Sequence, residues 1–353
     1  MKKLDINKLF KWNKKNSLKI PEKTNLLQNY QKVELTKSEN AGSSKSDLVN
    51  KTKSEDIDDW EYCDSVFQNF SVPDFITKKP DHAFFNCGYL NKIDIPNTVT
   101  IIGKSAFYEC SSLTNITIPN SVIKIDNFAF SGCSSLTNIT IPNSVIKIGK
   151  YAFYECSSLT NITIPNSVIE IGSYAFSYCK SINNVIIPNS IAKISESLFE
   201  NCLSLTNIII PDSVIVIGPY AFSYTSIINI SIPNSITKIR NNAFYVNLFT
   251  NITIPNSISS IGSNVFDKCE NLTVITIPNV IEIIGRHVLF GKNILTGFTL
   301  PETIKVLNNN TFFEHDINTI IIPNNITEIG DRICGRKRCR EICSRYFKME
   351  NVI

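Results

Sequence analysis

From Pro73 onward the apolar residues recur in a fixed pattern, clearest between Pro142 and Ile164, PNSVIKIGKYAFYECSSLTNITI. With the proline as position 1, the apolar positions are 4, 7, 11, 12, 15, 18, 21 and 23. Val145, Ile148, Ala152, Phe153, Cys156, Leu159, Ile162 and Ile164 fill them here. The closing Leu-x-x-Ile-x-Ile alternates with period two and is β-branched, which predicts a short strand with Ile162 and Ile164 facing inward. The proline that follows has no N–H for a ladder and suits a strand end. Asn-Ser predicts a turn held by side chains that bond the local backbone. Val-x-x-Ile predicts a second, very short extended piece. Ala-Phe-x-x-Cys has apolar groups at i, i+1 and i+4, the spacing of a single helical turn laid against a core. Glycine occupies position 8 in seven units (Gly103, Gly149, Gly172, Gly218, Gly262, Gly285, Gly330), which predicts positive φ there. Asp126, Asn308, Ser195 and Arg240 fill that slot elsewhere.

The prolines give the period. Pro73, Pro96, Pro119, Pro142, Pro165, Pro188, Pro211, Pro233, Pro255, Pro278, Pro301 and Pro323 are separated by 23 residues in eight intervals and by 22 in three. A fixed period in this range marks a solenoid, whose units cannot bury their apolar faces alone and gain stability from their neighbours. The unit at Pro73 is degenerate, with Lys79 and Pro80 in the Ile and Gly slots. Those at Pro211 and Pro233 lose a residue between the Phe and the following strand, and Thr225 and Asn247 stand near where cysteine belongs. The unit at Pro278 has Leu289 for Phe and Lys292 for Cys. These departures predict irregularity in the back wall over 222–250 and 286–296.

The repeat resembles the leucine-rich repeat of the BspA type, found in bacterial and protist surface antigens, whose pattern is close to IPxSVxxIGxxAFxxCxxLxxIxI. The match runs from about Pro73 to Gly330. The resemblance implies an α/β repeat fold: a right-handed, curved leucine-rich-repeat solenoid of 22–23-residue units, with a parallel sheet on one face and short helical turns on the other. It also implies adhesion or protein binding rather than catalysis, and the family supplies no catalytic residue to carry over.

The ends depart from the pattern. Residues 1–59 are Lys-, Asn- and Ser-rich and too poor in apolar groups to bury a core, which predicts a disordered tail. Across residues 1–60, 13 lysines against nine acidic residues leave a charge of about +4. Leu4, Ile6, Leu9, Phe10 and Trp12 beside lysines could form an amphipathic helix that touches membrane or a partner; the plainer reading is a solvated tail. Residues 60–72 supply Trp60, Tyr62, Val66, Phe67 and Phe70 as an N-terminal cap over the first coil, since terminal repeats need one. The solenoid then spans 73–330. Residues 331–353 are basic, and Ile333, Ile342 and Phe347 predict a capping helix. No apolar stretch after the first lysines reads as a secretory signal, and no run is long enough for a membrane span. A cytoplasmic location is the default expectation, and the cell surface is what the resemblance implies.

Chemistry is sparse. The net charge of +4 over 353 residues is mild and dispersed, which argues against nucleic acid as partner. Cys87, Cys110, Cys133, Cys156, Cys179 and Cys202 recur once per unit, with Cys269 later. Equivalent side chains in stacked coils lie about 4.8 Å or more apart, whereas a disulfide wants Cβ atoms about 3.8 Å apart. A buried column of free thiols is therefore expected. Cys334, Cys339 and Cys343 have spacings poorly suited to zinc, even with Cys63 as a fourth ligand. His82, His287 and His315 share no column, and no Walker loop, GxSxG, HExxH or dinucleotide fingerprint occurs. No enzyme, cofactor, catalytic residue or metal site is expected.

What remains is the outward side of the strand. Positions 20 and 22 alternate with the buried isoleucines and predict two exposed columns. Most of their members are Asn and Thr, which also have a purely structural explanation in strands. Ile186 and Ile209 are adjacent apolar residues in an otherwise polar column and mark a contact spot. The expected partner-binding residues are Asn161, Thr163, Asn184, Ile186, Asn207, Ile209, Asn229 and Ser231, taking a protein partner on the concave sheet face. An adhesion or ligand-binding protein is the first reading, and an intracellular adaptor without a surface role is the alternative.

Overall fold

The computed structural model describes residues 69–72, 81–289, 300–312 and 322–333. The expectations for the 1–59 tail, most of the 60–72 cap, Cys63, Cys334, Cys339, Cys343 and His315 lie outside these residues, as do Lys292 and most of the C-terminal segment. Among the described residues, nineteen short strands pair in parallel between neighbouring coils. This is a parallel-strand solenoid with one coil per 22–23 residues.

Each regular coil contributes two strands. Asn115–Thr117, Asn138–Thr140, Asn161–Thr163 and Asn184–Ile186 form a four-stranded sheet in strict register, Asn138 opposite Asn161 and Asn161 opposite Asn184. The second extended piece is real as well. Ile101–Ile102, Lys124–Ile125, Lys147–Ile148 and Glu170–Ile171 form another four-stranded ladder. A seven-stranded ladder continues it from Lys193–Ile194 to Glu328–Ile329.

The core is the column structure that the apolar pattern predicts. Val145, Ile148, Ala152, Phe153, Cys156, Leu159, Ile162 and Ile164 are all buried. Phe107, Phe130, Phe153, Phe176 and Phe199 stack along the interior with ring planes within 8° and centroids 5.1–5.7 Å apart. Each phenylalanine thus packs on its equivalent one coil away, so a single coil buries little by itself and the array supplies the interface.

The back wall departs from expectation. No helix is seen in the described residues. The Ala-Phe-x-x-Cys segment is a run of tight turns, with Tyr154 N–H bonded to Tyr151 C=O and Cys156 N–H to Phe153 C=O. Two residues per regular coil, at positions 10 and 14, adopt left-handed φ: Tyr151 at 58° and Glu155 at 59° in the index coil, Tyr174 and Tyr178 at 62° in the next. Such residues persist only where their surroundings over-determine them, and hydrogen bonds supply the reason. The N–H groups of Tyr151, Phe153 and Glu155 all point to the next coil and bond the carbonyls of Ser173, Ala175 and Ser177 at 3.0, 2.8 and 3.0 Å. A helical turn would direct those amides back into its own coil and leave the neighbour's carbonyls unpaired.

The position-8 glycines are also corrected. Gly132, at position 14, is the one described glycine with positive φ, at 77°. Gly149 is needed for close approach instead: a Cβ there would stand 2.5 Å from the backbone of Asp126 and Asn127 in the preceding coil. The turn serines likewise reach further than expected. Ser144 donates its hydroxyl to the Val122 carbonyl one coil back, at 2.6 Å, and the local turn is closed by Val145 N–H on Pro142 C=O.

Candidate functional site

The eight residues singled out from the sequence are all exposed and on one side of the strand that closes each coil. Asn161 lies opposite Asn184, and Thr163 opposite Ile186. Ile186 and Ile209 are joined by an isolated parallel bridge, as are Asn207 and Asn229. Ile186 is 58% and Ile209 76% exposed, against 2–6% for the intervening Val185, Ile208 and Ile210. The period-two alternation produces this split, since successive side chains leave a strand on opposite faces.

The asparagines do not ladder with one another. Asn161 Nδ2 donates to its neighbour Thr160 Oγ1 at 3.3 Å, and Asn207 to Thr206 at the same distance. Thr160 Oγ1 in turn donates to the Thr137 carbonyl of the preceding coil. Asn161 and Asn207 are therefore each held from one side by the preceding threonine, whereas Asn184 and Asn229 follow Asn183 and Ile228 and have no such threonine.

Beyond Ile209 the sheet opens. Asn184–Ile186 and Asn251–Thr253 are regular strands, but two coils lie between them. The first is joined only by single bridges at Asn207 and Ile209, and the second only at Asn229, with none over Ile230–Ile232. A groove of about 630 Å³ lies there, bordered by Ile208, Ile210, Asp212, Ser231, Ile232 and Pro233. The irregularity foreseen for the back wall over 222–250 thus falls on the opposite ladder. The back wall itself continues, with Phe222 N–H on Ala243 C=O and Tyr224 N–H on Tyr245 C=O.

The thiol column is present in part. Cys110, Cys133, Cys156, Cys179, Cys202 and Cys269 are free and buried, and each Sγ donates to the carbonyl of the preceding coil's Phe at 3.1–3.2 Å. Cys87 is not part of it, being disulfide-bonded. Burial pushes the Cys133, Cys156 and Cys179 thiols well above the ordinary range, so they are inert rather than nucleophilic. No group of three or more potential metal ligands occurs among the described residues, nor does a helix long and apolar enough to cross a membrane. Contrary to the expectation, His82 and His287 share a column, both at left-handed position 10, but they stand nine units apart, too far to meet.

One exposed column escaped the sequence reading. Position 5 places Ile123, Ile146, Ile169 and Ile215 at the surface, with Ala192 between. The signal is an Ile directly after the buried Val of each of these coils, at Val122, Val145, Val168 and Val214.

The family model of the BspA type leucine rich repeat region matches residues 55–157, 124–249 and 237–344, with six copies. The chain belongs to this family. The BspA-type chain is 27% identical to a leucine-rich repeat protein from Bacteroides ovatus, over 76% of its own length and 85% of the other's, with a TM-score of 0.55. It is 26% identical to a T. pallidum leucine-rich repeat protein, covering 58% of this chain and 78% of that one at a TM-score of 0.40. A leucine-rich cell surface protein from Faecalibacterium prausnitzii shares 24% identity over 76% of this chain and 66% of that one, with a TM-score of 0.44. No curated protein matches the chain.

Proposed function

We propose that this BspA-type solenoid is a non-enzymatic protein-binding scaffold of the adhesion or ligand-binding kind. The partner docks on the outward face of the strands, over Asn161, Thr163, Asn184, Ile186, Asn207, Ile209, Asn229 and Ser231. The observation that carries this reading is the bridged pair Ile186 and Ile209, widely exposed within a column of polar residues. Apolar groups left together on a polar surface mark interaction sites, and the exposed asparagines around them, Asn207 among them already held by Thr206, offer hydrogen bonds. We read the winding as right-handed, as crossovers between parallel strands almost always are, and this face as the concave one.

Quantitative capture by the full chain tests the site. Ile186→Asp with Ile209→Asp should remove the partner that the unaltered chain retains, while the circular dichroism and melting point stay as they were. Retention of every partner at unchanged affinity by the folded double variant places the site elsewhere. The free thiols favour the intracellular-adaptor reading, since a reducing compartment preserves them. The disulfide at Cys87 favours the surface reading, because disulfides persist in oxidising compartments. Labelling of intact cells with an impermeant reagent separates the two: modification of the chain supports the surface role, and its absence the adaptor.

A further inference from the structure

The split in the sheet lies directly beside that face, and it has a cause in the sequence. The coils beginning at Pro211 and Pro233 are both one residue short. In the first of them the amides of Ser226 and Ile228 still reach the carbonyls of Leu205 and Thr206, and Asn229 is still bridged to Asn207. After Asn229 the pairing stops. Among the described residues Ser231 has no strand partner on either side, although its equivalents Thr140, Thr163 and Thr253 are all paired. Strand edges with unmet N–H and C=O groups are templates for another chain.

The groove that results is built for a particular occupant. Of its lining residues Ile209 is widely exposed and Pro233 half-buried, which suits aliphatic side chains, while Ile208, Ile210 and Ile232 turn into the core beneath. At its rim stands Asp212, exposed and in no ion pair among the described residues. Asparagine fills the same slot in the neighbouring units, at Asn143, Asn166, Asn189, Asn234 and Asn256, and the slot's other carboxylates, Asp74 and Glu302, stand in distant units. Among the coils around the opening only this one therefore carries the charge. We propose that the groove between Ile209 and Ser231 captures an extended segment of a partner protein by strand addition, the segment bearing alternating aliphatic residues and a Lys or Arg that meets Asp212. Backbone hydrogen bonds give the contact and the alternate side chains its selectivity. This deepens the scaffold reading and rests on it.

The test uses the full chain and a fluorescein-labelled peptide, acetyl-Val-Lys-Val-Thr-Val-Lys-Val-amide, followed by anisotropy. Saturable binding is expected. Two further peptides carry N-methyl groups on alternate amides, one set for each edge. Methylation of the edge that faces the groove removes at least two hydrogen bonds and should weaken binding about tenfold. Asp212→Asn should weaken the lysine peptide about threefold at low salt and leave a peptide with Ser for Lys unchanged. No saturable binding, or equal binding by the unmodified and both methylated peptides, overturns strand addition. So does a dimer of the free chain that the peptide dissolves, because the groove then belongs to a second copy. If the Ile186 and Ile209 variants lose a captured protein while the peptide never binds, strand addition fails and the scaffold reading stands. If neither surface matters, both fail.

Discussion

The side-chain amide of Asn247 donates to the carbonyl of Phe222 at 2.8 Å, the bond that a cysteine thiol makes to a phenylalanine carbonyl in six other coils. Asn247 is buried, and its Oδ1 lies 2.5 Å from the Thr225 hydroxyl, which occupies the cysteine slot one coil earlier. The two substitutions are therefore a matched pair, polar on polar. Asn247→Leu should leave the Phe222 carbonyl and the Thr225 hydroxyl without this partner and cost about 1–3 kcal/mol. Asn247→Cys together with Thr225→Cys rebuilds the column and should cost less than Asn247→Leu. Urea midpoints of the three variants against the parent decide it, and an Asn247→Leu protein of parental stability removes the role assigned to this bond.

Two glycines should answer differently to the same change. At Gly149 a Cβ meets backbone that cannot swing aside, so Gly149→Ala should cost about 1–3 kcal/mol as the coils are forced apart. Gly149→Ser should recover part of this, since Ser195 in the same slot donates its hydroxyl to the Ile171 carbonyl at 2.6 Å. At Gly132 the nearest atoms are the carboxylate end of Glu109, which can move. The backbone there is left-handed, but Glu155 and Tyr178 hold that conformation in the same slot. Gly132→Ala should therefore cost no more than about 1–2 kcal/mol. Thermal melting of the set checks the order, and a greater loss at Gly132 than at Gly149 reverses the argument.

These positions show what was legible and what was not. Every apolar position of the index coil was found inside, because burial leaves a direct trace in side-chain type. The exposed columns followed from alternation alone. The back wall did not, since Ala-Phe-x-x-Cys has the same spacing in a helical turn as in linked tight turns. Asparagine, which favours this conformation, holds the left-handed positions only here and there, at Asn86, Asn201, Asn242, Asn264 and Asn310. In the regular coils they fall mostly to Tyr, Glu, Ser and Phe, which give no such warning, and the glycines pointed to the wrong slot. What fixes those dihedrals is a hydrogen bond from Tyr151 to Ser173, a partner 22 residues away. The missing residue after Thr225 was visible, but which ladder would yield depended on Asn247 closing the other one.

Glu200 carries a pH prediction. Burial raises its pKa, the charge of Glu196 adds to this, and a hydrogen bond from Ser197 opposes them. A carboxyl whose folded pKa lies above its unfolded value favours the folded state fully below the unfolded pKa and loses that contribution as pH rises through the folded one. At pH 7, above the unfolded pKa, that contribution is lost in part or whole and Glu200 gives the fold less than it does in acid. Glu200→Gln should raise the urea midpoint at pH 7 and give no gain at pH 3.5. An equal effect at both pH values assigns the change to packing instead.

The thiols predict the alkaline limit. Burial holds Cys133, Cys156, Cys179 and Cys202 protonated far above the usual range, the neighbouring thiols adding to this for the first three, and pushes Cys269 up to about 12. In the unfolded chain each ionises near pH 8.5. Their contribution is complete below that pH and is lost as pH rises toward the folded values, because the unfolded state then gains stability by releasing protons. A thiol that stays protonated in the fold to pH 10 removes about 2 kcal/mol there. Five of them rival the whole stability of a typical domain, about 5–15 kcal/mol. Unfolded tyrosine ionises near pH 10, so the raised Tyr154 and Tyr174 take effect only above that point. Melting under reducing conditions should thus show a steep loss between pH 8.5 and pH 10. Cys156→Ala, though less stable at pH 7, should lose about 2 kcal/mol less over that interval, whereas parallel curves for parent and variant would show that the column does not set the limit.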